Sequence, residues 1–269
     1  MVVNILQHDI VWANPTENRK RLEQQLLQLP KADLYVLTEM FSTGFATEPA
    51  GIAETDGASM EWMRHMAAML DAAIAGSVAT EKDGHFYNRF FFVEPDGKVT
   101  YYDKHHLFTF SGEDKQFTRG NKRVVVEYKG VRFLLQVCYD LRFPVFSRNM
   151  GDYDAIIFVA NWPSTRIEAW KTLLRARAIE NQCYVIGVNR VGKDPKCEYP
   201  GGSAIIDPYG RTLTASEDYQ EASATSIIDM DTLQAFREKF PVGNDADRFV
   251  LDMNEEYNKF KQIWEKDYY

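Results

Sequence analysis

Ala155-Ile156-Ile157-Phe158-Val159-Ala160 decides the fold class, because every side chain in it is apolar. A strand that is apolar on both faces belongs inside a sheet covered on both sides. The run is also far short of the ~18 residues that a membrane-crossing helix needs. Just downstream, residues 166–181 set Ile167, Trp170, Leu174 and Ala178 at helical spacing, a face suited to packing on such a sheet.

The same alternation extends in both directions. Val2–Gln7 reads as a strand, and Asn14-Pro15-Thr16-Glu17 then opens a helix that ends near Pro30. Asn14 can cap that helix, Pro15 suits its first turn and Glu17 sits where a capping carboxylate would. A buried strand at 33–37, a helix at Ala58–Leu70 and a strand at 73–79 follow. Hairpins come next: 86–93 with 98–102 around Pro95-Asp96-Gly97, and 124–128 with Val131–Val137 around Lys129-Gly130. Strands at 183–189, 202–206 and 223–229 and a helix at 232–239 complete the pattern, with Asp207-Pro208-Tyr209-Gly210 as a turn. No linker, low-complexity run or close repeat divides the chain. The expectation is one layered α/β domain over residues 1–269, with a charged and aromatic C-terminal tail from about 241 to 269.

Composition narrows the partners. The 269 residues carry 31 Lys and Arg against 39 Asp and Glu, a formal charge of −8 without any basic block. That balance argues against sequence-independent binding to nucleic acid or to an anionic membrane. Three cysteines form no disulfide framework and fit a reducing compartment, and the first residues read as a strand instead of a leader. A cytoplasmic protein is expected.

Three segments place a reactive side chain at the end of an apolar strand. In Leu134-Leu135-Gln136-Val137-Cys138-Tyr139-Asp140-Leu141-Arg142-Phe143-Pro144, Cys138 precedes a polar turn whose main-chain N–H groups are free to hold an oxyanion. Alone, it fits either a nucleophile or a buried core thiol. Cys183 and Cys197 have no comparable setting. In Leu37-Thr38-Glu39-Met40-Phe41-Ser42-Thr43-Gly44-Phe45, Glu39 leaves a buried strand, where partial desolvation suits a general base. It also fits an ordinary loop carboxylate. Tyr101-Tyr102-Asp103-Lys104-His105-His106-Leu107-Phe108 sets Lys104 among aromatics, either as an oxyanion partner or as an edge lysine. Glu113, on the loop Phe110-Ser111-Gly112-Glu113-Asp114, adds a second carboxylate. His105 and His106, as neighbours on one strand, would face opposite ways, and no metal-ligand spacing joins them.

Glu39, Lys104 and Cys138, in this order and with these surroundings, resemble the Glu-Lys-Cys triad of the nitrilase (carbon–nitrogen hydrolase) superfamily. The similarity continues through Gly112-Glu113, Arg119-Gly120, Arg175-Ala176-Arg177-Ala178-Ile179-Glu180-Asn181 and Gly202-Ser203, so it covers almost the whole chain. Phe41-Ser42-Thr43-Gly44-Phe45, Ala160-Asn161-Trp162-Pro163 and Phe236-Arg237-Glu238-Lys239-Phe240-Pro241 resemble the omega-amidase branch. Two departures stand out: Thr38 where the family usually has proline, and Gly201-Gly202 where relatives often carry a polar residue, a difference expected to alter a site-facing loop.

The resemblance implies a four-layer α-β-β-α sandwich and a thioester mechanism without metal or organic cofactor. It gives Cys138 the nucleophile's role and Glu39 the base's, with Lys104 and the Tyr139 N–H as oxyanion donors and Glu113 orienting Lys104. It implies a short 2-oxo dicarboxylic acid mono-amide as substrate, with 2-oxoglutaramate giving 2-oxoglutarate and ammonia, and a homodimer or higher homo-oligomer. Such a substrate needs a cation for its carboxylate, and Arg166 is the candidate, with Trp162, Phe41 and Tyr139 as pocket walls. Arg142 reads as a structural ion-pairing residue. An amidase acting on carbamoyl, N-acyl or peptide-derived amides, or an inactive scaffold of the same fold, are the alternatives.

Overall fold

The computed structural model describes residues 1–251 and 253. Most of the tail expected from about 241 therefore lies outside the described residues. Two six-stranded sheets form the inner layers. The first contains β1 (Val2–Gln7), β2 (Leu34–Val36), β3 (Ala73–Lys82), β4 (His85–Val93) and β5 (Val99–Asp103). The second contains β6 (Val125–Tyr128), β7 (Val131–Val137), β8 (Ala155–Ala160), β9 (Tyr184–Asn189), β12 (Ala204–Ile206) and β13 (Thr212–Ala215). A small hairpin of β10 (Val191–Lys193) and β11 (Glu198–Pro200) lies between β9 and β12 in sequence, and β14 (Ala222–Ile227) returns to the first sheet beside β1.

Strand order is β5-β4-β3-β2-β1-β14 in one sheet and β13-β12-β9-β8-β7-β6 in the other. Read this way, both sheets show two antiparallel pairings, then two parallel, then one antiparallel. This correspondence between the halves leaves no repeat visible in the sequence. β8 is wholly buried at an interior position between β7 and β9, as its apolar faces require.

The sheets pack face to face through Val3, Ile5, Val36, Phe90 and Phe92 on one side and Phe133, Leu135, Val137, Ile157 and Val159 on the other. Helices α1 (Pro15–Leu26) and α2 (Ala58–Leu70) cover the first sheet's outer face with Leu22, Leu26, Met63 and Met66. The segment after Cys138 holds a 3₁₀ turn, Cys138–Arg142, and then a single helical turn, α3 (Pro144–Ser147). Helix α4 (Ile167–Asn181) covers the second sheet with Trp170, Leu174 and Ala178, after a 3₁₀ turn at Ser164–Arg166. The result is the expected α-β-β-α sandwich. Helix α5 (Met230–Lys239) is capped by Asp229, whose carboxylate accepts from the N–H groups of Asp231 and Thr232. Asn14 caps α1 as its sequence suggests, accepting from the Glu17 N–H.

Close approach of α4 to the sheet depends on Gly187. A Cβ there would stand 2.5 Å from Leu174 Cδ1. No helix among the described residues is long and apolar enough to cross a membrane.

Trp170 is fully buried and donates its indole N–H to Gly202 O at 2.9 Å. Trp170→Ala is therefore expected to lower the unfolding free energy by about 3–5 kcal/mol. Equilibrium urea denaturation would measure it, and a loss below ~1 kcal/mol would show that α4 contributes little to the core.

Candidate active site

The site is built where strands of the two sheets run out. Strand β5 ends at Asp103, and the next N–H, that of Lys104, donates to Asn88 O at 3.0 Å. The register that pairs Phe90 with Tyr102 therefore also sets Asn88 of β4 beside the lysine. Gly120 fixes this loop from outside, donating its N–H to Lys104 O at 2.9 Å. A Cβ at Gly120 would lie 2.0 Å from Asp103 O, so only glycine allows that approach.

Glu39, Lys104 and Glu113 are each completely buried. Lys104 Nζ lies 3.1 Å from Glu39 Oε1 and 3.0 and 2.9 Å from the two oxygens of Glu113. Burial opposes the ammonium's charge, but Glu113 and Glu39 outweigh it and hold the Lys104 pKa above that of an ordinary lysine. Burial raises the pKa of Glu113, and the Lys104 charge only partly offsets it.

Each carboxylate is oriented by neutral donors. Asn88 Nδ2 donates to Glu39 Oε1 at 2.7 Å and reaches Glu113 Oε1 at 3.3 Å, while its own oxygen accepts from Ser77 Oγ. The Asn161 main-chain N–H donates to Glu39 Oε2 at 2.7 Å, and Asn161 Nδ2 donates to Glu39 O at 2.7 Å. The Phe108 N–H donates to Glu113 Oε2 at 2.6 Å. Sequence reading assigns no role to Asn88 or Asn161. The available signal was polarity: Asn88 interrupts the aromatic run of β4, and Asn161 directly follows the wholly apolar β8.

Cys138 follows β7 with φ of +46°, a left-handed conformation that costs a non-glycine residue energy and persists only where the surroundings impose it. Tyr139 stands in the first turn of the 3₁₀ segment, where N–H groups lack partners inside the helix. Burial pushes the Cys138 thiol well above the ordinary thiol range; Glu39 and Glu113 push it further and Lys104 partly offsets them. That direction favours a thiol over a standing thiolate beside Glu39.

A pocket of about 330 Å³ opens at Cys138. Tyr139, Asn161, Trp162 and Arg166 line it, as do Phe45, Phe108, Arg142 and Cys197. The Arg166 guanidinium lies 5.2 Å over the Phe108 ring, and that of Arg142 lies 4.9 Å over the Trp162 ring. Neither arginine has a carboxylate partner among the described residues. A larger groove of about 870 Å³, bordered by Arg148, Asn181, Arg237 and Asp247, holds no cysteine.

Four sequence expectations change. Arg142 is a pocket residue, not a structural ion-pair partner. Phe41 does not line the pocket: its N–H continues the ladder to Ser77 O, and its ring is buried beneath α2, 5.7 Å from that of Trp62. His105 and His106 lie in a turn, ring centroids 4.6 Å apart, so the opposite-face argument fails for them. Gly202 also lies outside the pocket lining, since a Cβ there would meet Ile167 and Lys171 of α4. Thr38, the other departure, has its hydroxyl 3.3 Å from Nε2 of the buried His8.

A family model described as carbon-nitrogen hydrolase matches residues 3–238. The omega-amidase YafV of Yersinia enterocolitica is 45% identical over 250 residues, covering 93% of this chain and 98% of its own. The 2-oxoglutaramate amidase of Bacillus subtilis is 36% identical, covering 90% of this chain and 96% of its own. Among solved structures, XC1258 from Xanthomonas campestris, a CN-hydrolase superfamily protein with an arsenic adduct in its active site, superposes with a TM-score of 0.91. It shares 44% identity over 94% of this chain and 99% of its own.

The raised thiol pKa sets a pH dependence. Alkylation requires the thiolate, whose population grows as pH approaches the thiol's pKa from below. Iodoacetamide modification of Cys138, followed by mass spectrometry, should therefore keep accelerating past the ordinary thiol value of ~8.5. A plateau below that value would mean a preformed thiolate.

Proposed function

The chain belongs to the carbon–nitrogen hydrolase family and is a hydrolase of linear amides, and from that premise we propose that it releases ammonia from the terminal amide of 2-oxoglutaramate through a thioester on Cys138. The observation that carries the reading is the buried Lys104, held by Glu39 and Glu113 beside a thiol in a pocket whose two guanidiniums have no carboxylate partner among the described residues.

An amide is a weak electrophile with a poor leaving group, so the site must supply a nucleophile, an oxyanion partner and a proton. Glu39 takes the Cys138 proton as Sγ attacks the amide carbon. The oxygen's new charge is met by Lys104 Nζ and the Tyr139 N–H. Glu39 passes the proton to the departing nitrogen, and ammonia leaves. It then deprotonates a water that attacks the thioester, and the thiol regains its proton as the carboxylate product departs. Loss of one oxyanion donor in such chemistry costs ~3–4 kcal/mol. Glu113 fixes Lys104 and keeps it charged.

Arg166 and Arg142 receive the substrate's free carboxylate, their guanidiniums lying over the Phe108 and Trp162 rings in turn. No cofactor takes part in this scheme. The reading extends to a cytoplasmic homodimer or higher homo-oligomer that binds no nucleic acid. The exclusion of nucleic acid rests on an acidic net charge of −8, the cytoplasm on thiols suited to a reducing compartment, and the oligomer on the family resemblance alone.

Ammonia release should be measured with 2-oxoglutaramate, glutamine, asparagine and a simple nitrile, with Cys138→Ala as control. Fast release from the 2-oxo amide alone, abolished in the variant, is expected. Arg166→Ala and Arg142→Ala should each raise KM by about ten- to a hundredfold, as expected for a lost charge-assisted contact. Release only from another amide would keep the mechanism and overturn the substrate.

A further inference from the structure

Behind the nucleophile lies a third buried carboxylate, one that the mechanism does not use. Asp140 is completely buried and accepts four hydrogen bonds. Its Oδ2 takes the Val137 main-chain N–H at 2.9 Å and the Tyr102 hydroxyl at 2.8 Å. Its Oδ1 takes the His106 main-chain N–H at 3.0 Å and His106 Nδ1 at 2.8 Å. Every lone-pair direction of the carboxylate is thereby used.

These donors come from different places. Val137 is the last residue of β7, immediately before Cys138. Tyr102 and His106 flank Lys104 in the first sheet's β5 and the turn after it. The ring of His106 is itself held, stacked on Phe143 at 3.8 Å and edge-on to Phe146 at 5.1 Å. Asp140 therefore ties the backbone that carries the nucleophile to the backbone that carries the oxyanion lysine, across the interface between the sheets.

Cys138 needs such a tie, because its φ of +46° would relax without one. Glu39, Glu113 and Asn88 hold the lysine's head, but they make no main-chain hydrogen bond to the cysteine turn.

We propose that Asp140, through Tyr102 and His106, is a positioning residue that fixes Cys138 in register with Lys104. This inference rests on the catalytic reading of Cys138 and Lys104 above. Asp140 touches no reacting atom; it acts through the placement of the thiol and the Tyr139 N–H. A displacement of the order of 1 Å at a reacting centre costs up to ~100-fold in rate, so weakening the tie should lower kcat and leave KM nearly unchanged.

The test uses the whole protein with 2-oxoglutaramate and four variants: His106→Ala, His106→Asn, Tyr102→Phe and Cys138→Ala. Folding is checked by circular dichroism and thermal melting, and assays run well below the melting transition. His106→Ala should reduce kcat by about ten- to a hundredfold with KM changed less than about threefold. His106→Asn, which can present an amide N–H where Nδ1 donates, should recover most of that loss. Tyr102→Phe should lower kcat more modestly and carries the test if the His106 variants do not fold.

Folded His106→Ala and Tyr102→Phe enzymes with kcat within about twofold of the parent would overturn the proposal. So would equal losses in the Ala and Asn variants at 106, or an effect confined to KM. Activity persisting in Cys138→Ala would instead remove the nucleophile, and this inference with it, which is a distinguishable failure.

Discussion

A lysine ammonium with no contact with water is the constraint around which this molecule is arranged. Burying such a charge alone would cost many kcal/mol, and Lys104 is sustained only because Glu39 and Glu113 stand about 3 Å away. The two carboxylates bring their own desolvation cost. Donors from β4, from the end of β8 and from the Phe108 N–H offset it. The cluster thus recruits segments from both sheets, and the sandwich must close correctly for any of it to be satisfied.

The same arrangement shapes the chemistry. Burial first, and then the two carboxylates that outnumber the one ammonium, push the Cys138 thiol up and favour its protonated form. A standing thiolate there would add a second uncompensated charge. In the proposed mechanism, proton transfer to Glu39 would move the negative charge instead of creating one, and attack would carry it onto an oxygen facing Lys104. On that reading the charge would stay close to the ammonium throughout, with dipoles already oriented and little water to reorganise.

Much of this was legible in the sequence, for an identifiable reason. Residues 39 and 138 follow apolar strands and residue 104 follows a strand rich in aromatics, and strand ends are where a rigid backbone can present a polar group at a crevice. The interior strand at Ala155–Ala160 and the amphipathic face of α4 were equally plain, because burial on two faces or on one stripe leaves a periodic trace. What periodicity cannot carry is partner identity. Arg142 invites an ion-pairing reading, and only the fold shows that no carboxylate among the described residues reaches it and that Trp162 lies beneath it. Phe41 belongs to the right segment but to the wrong face, a distinction set by its ladder bond to Ser77. Asn88 and Asn161 matter through contacts 49 and 122 residues away in sequence, which no local pattern encodes. The β10–β11 hairpin, three residues a side, was too short to read.

The central claim is that hydrolysis passes through an acyl group on Cys138, and partitioning to hydroxylamine tests it most directly. If 2-oxoglutaramate acylates the cysteine, rising hydroxylamine should divert the acyl group from acid to hydroxamate. Ammonia release should continue, and Cys138→Ala should form neither product. Steady formation of the acid without hydroxamate at any hydroxylamine concentration would mean that water attacks the amide directly, and would contradict the account.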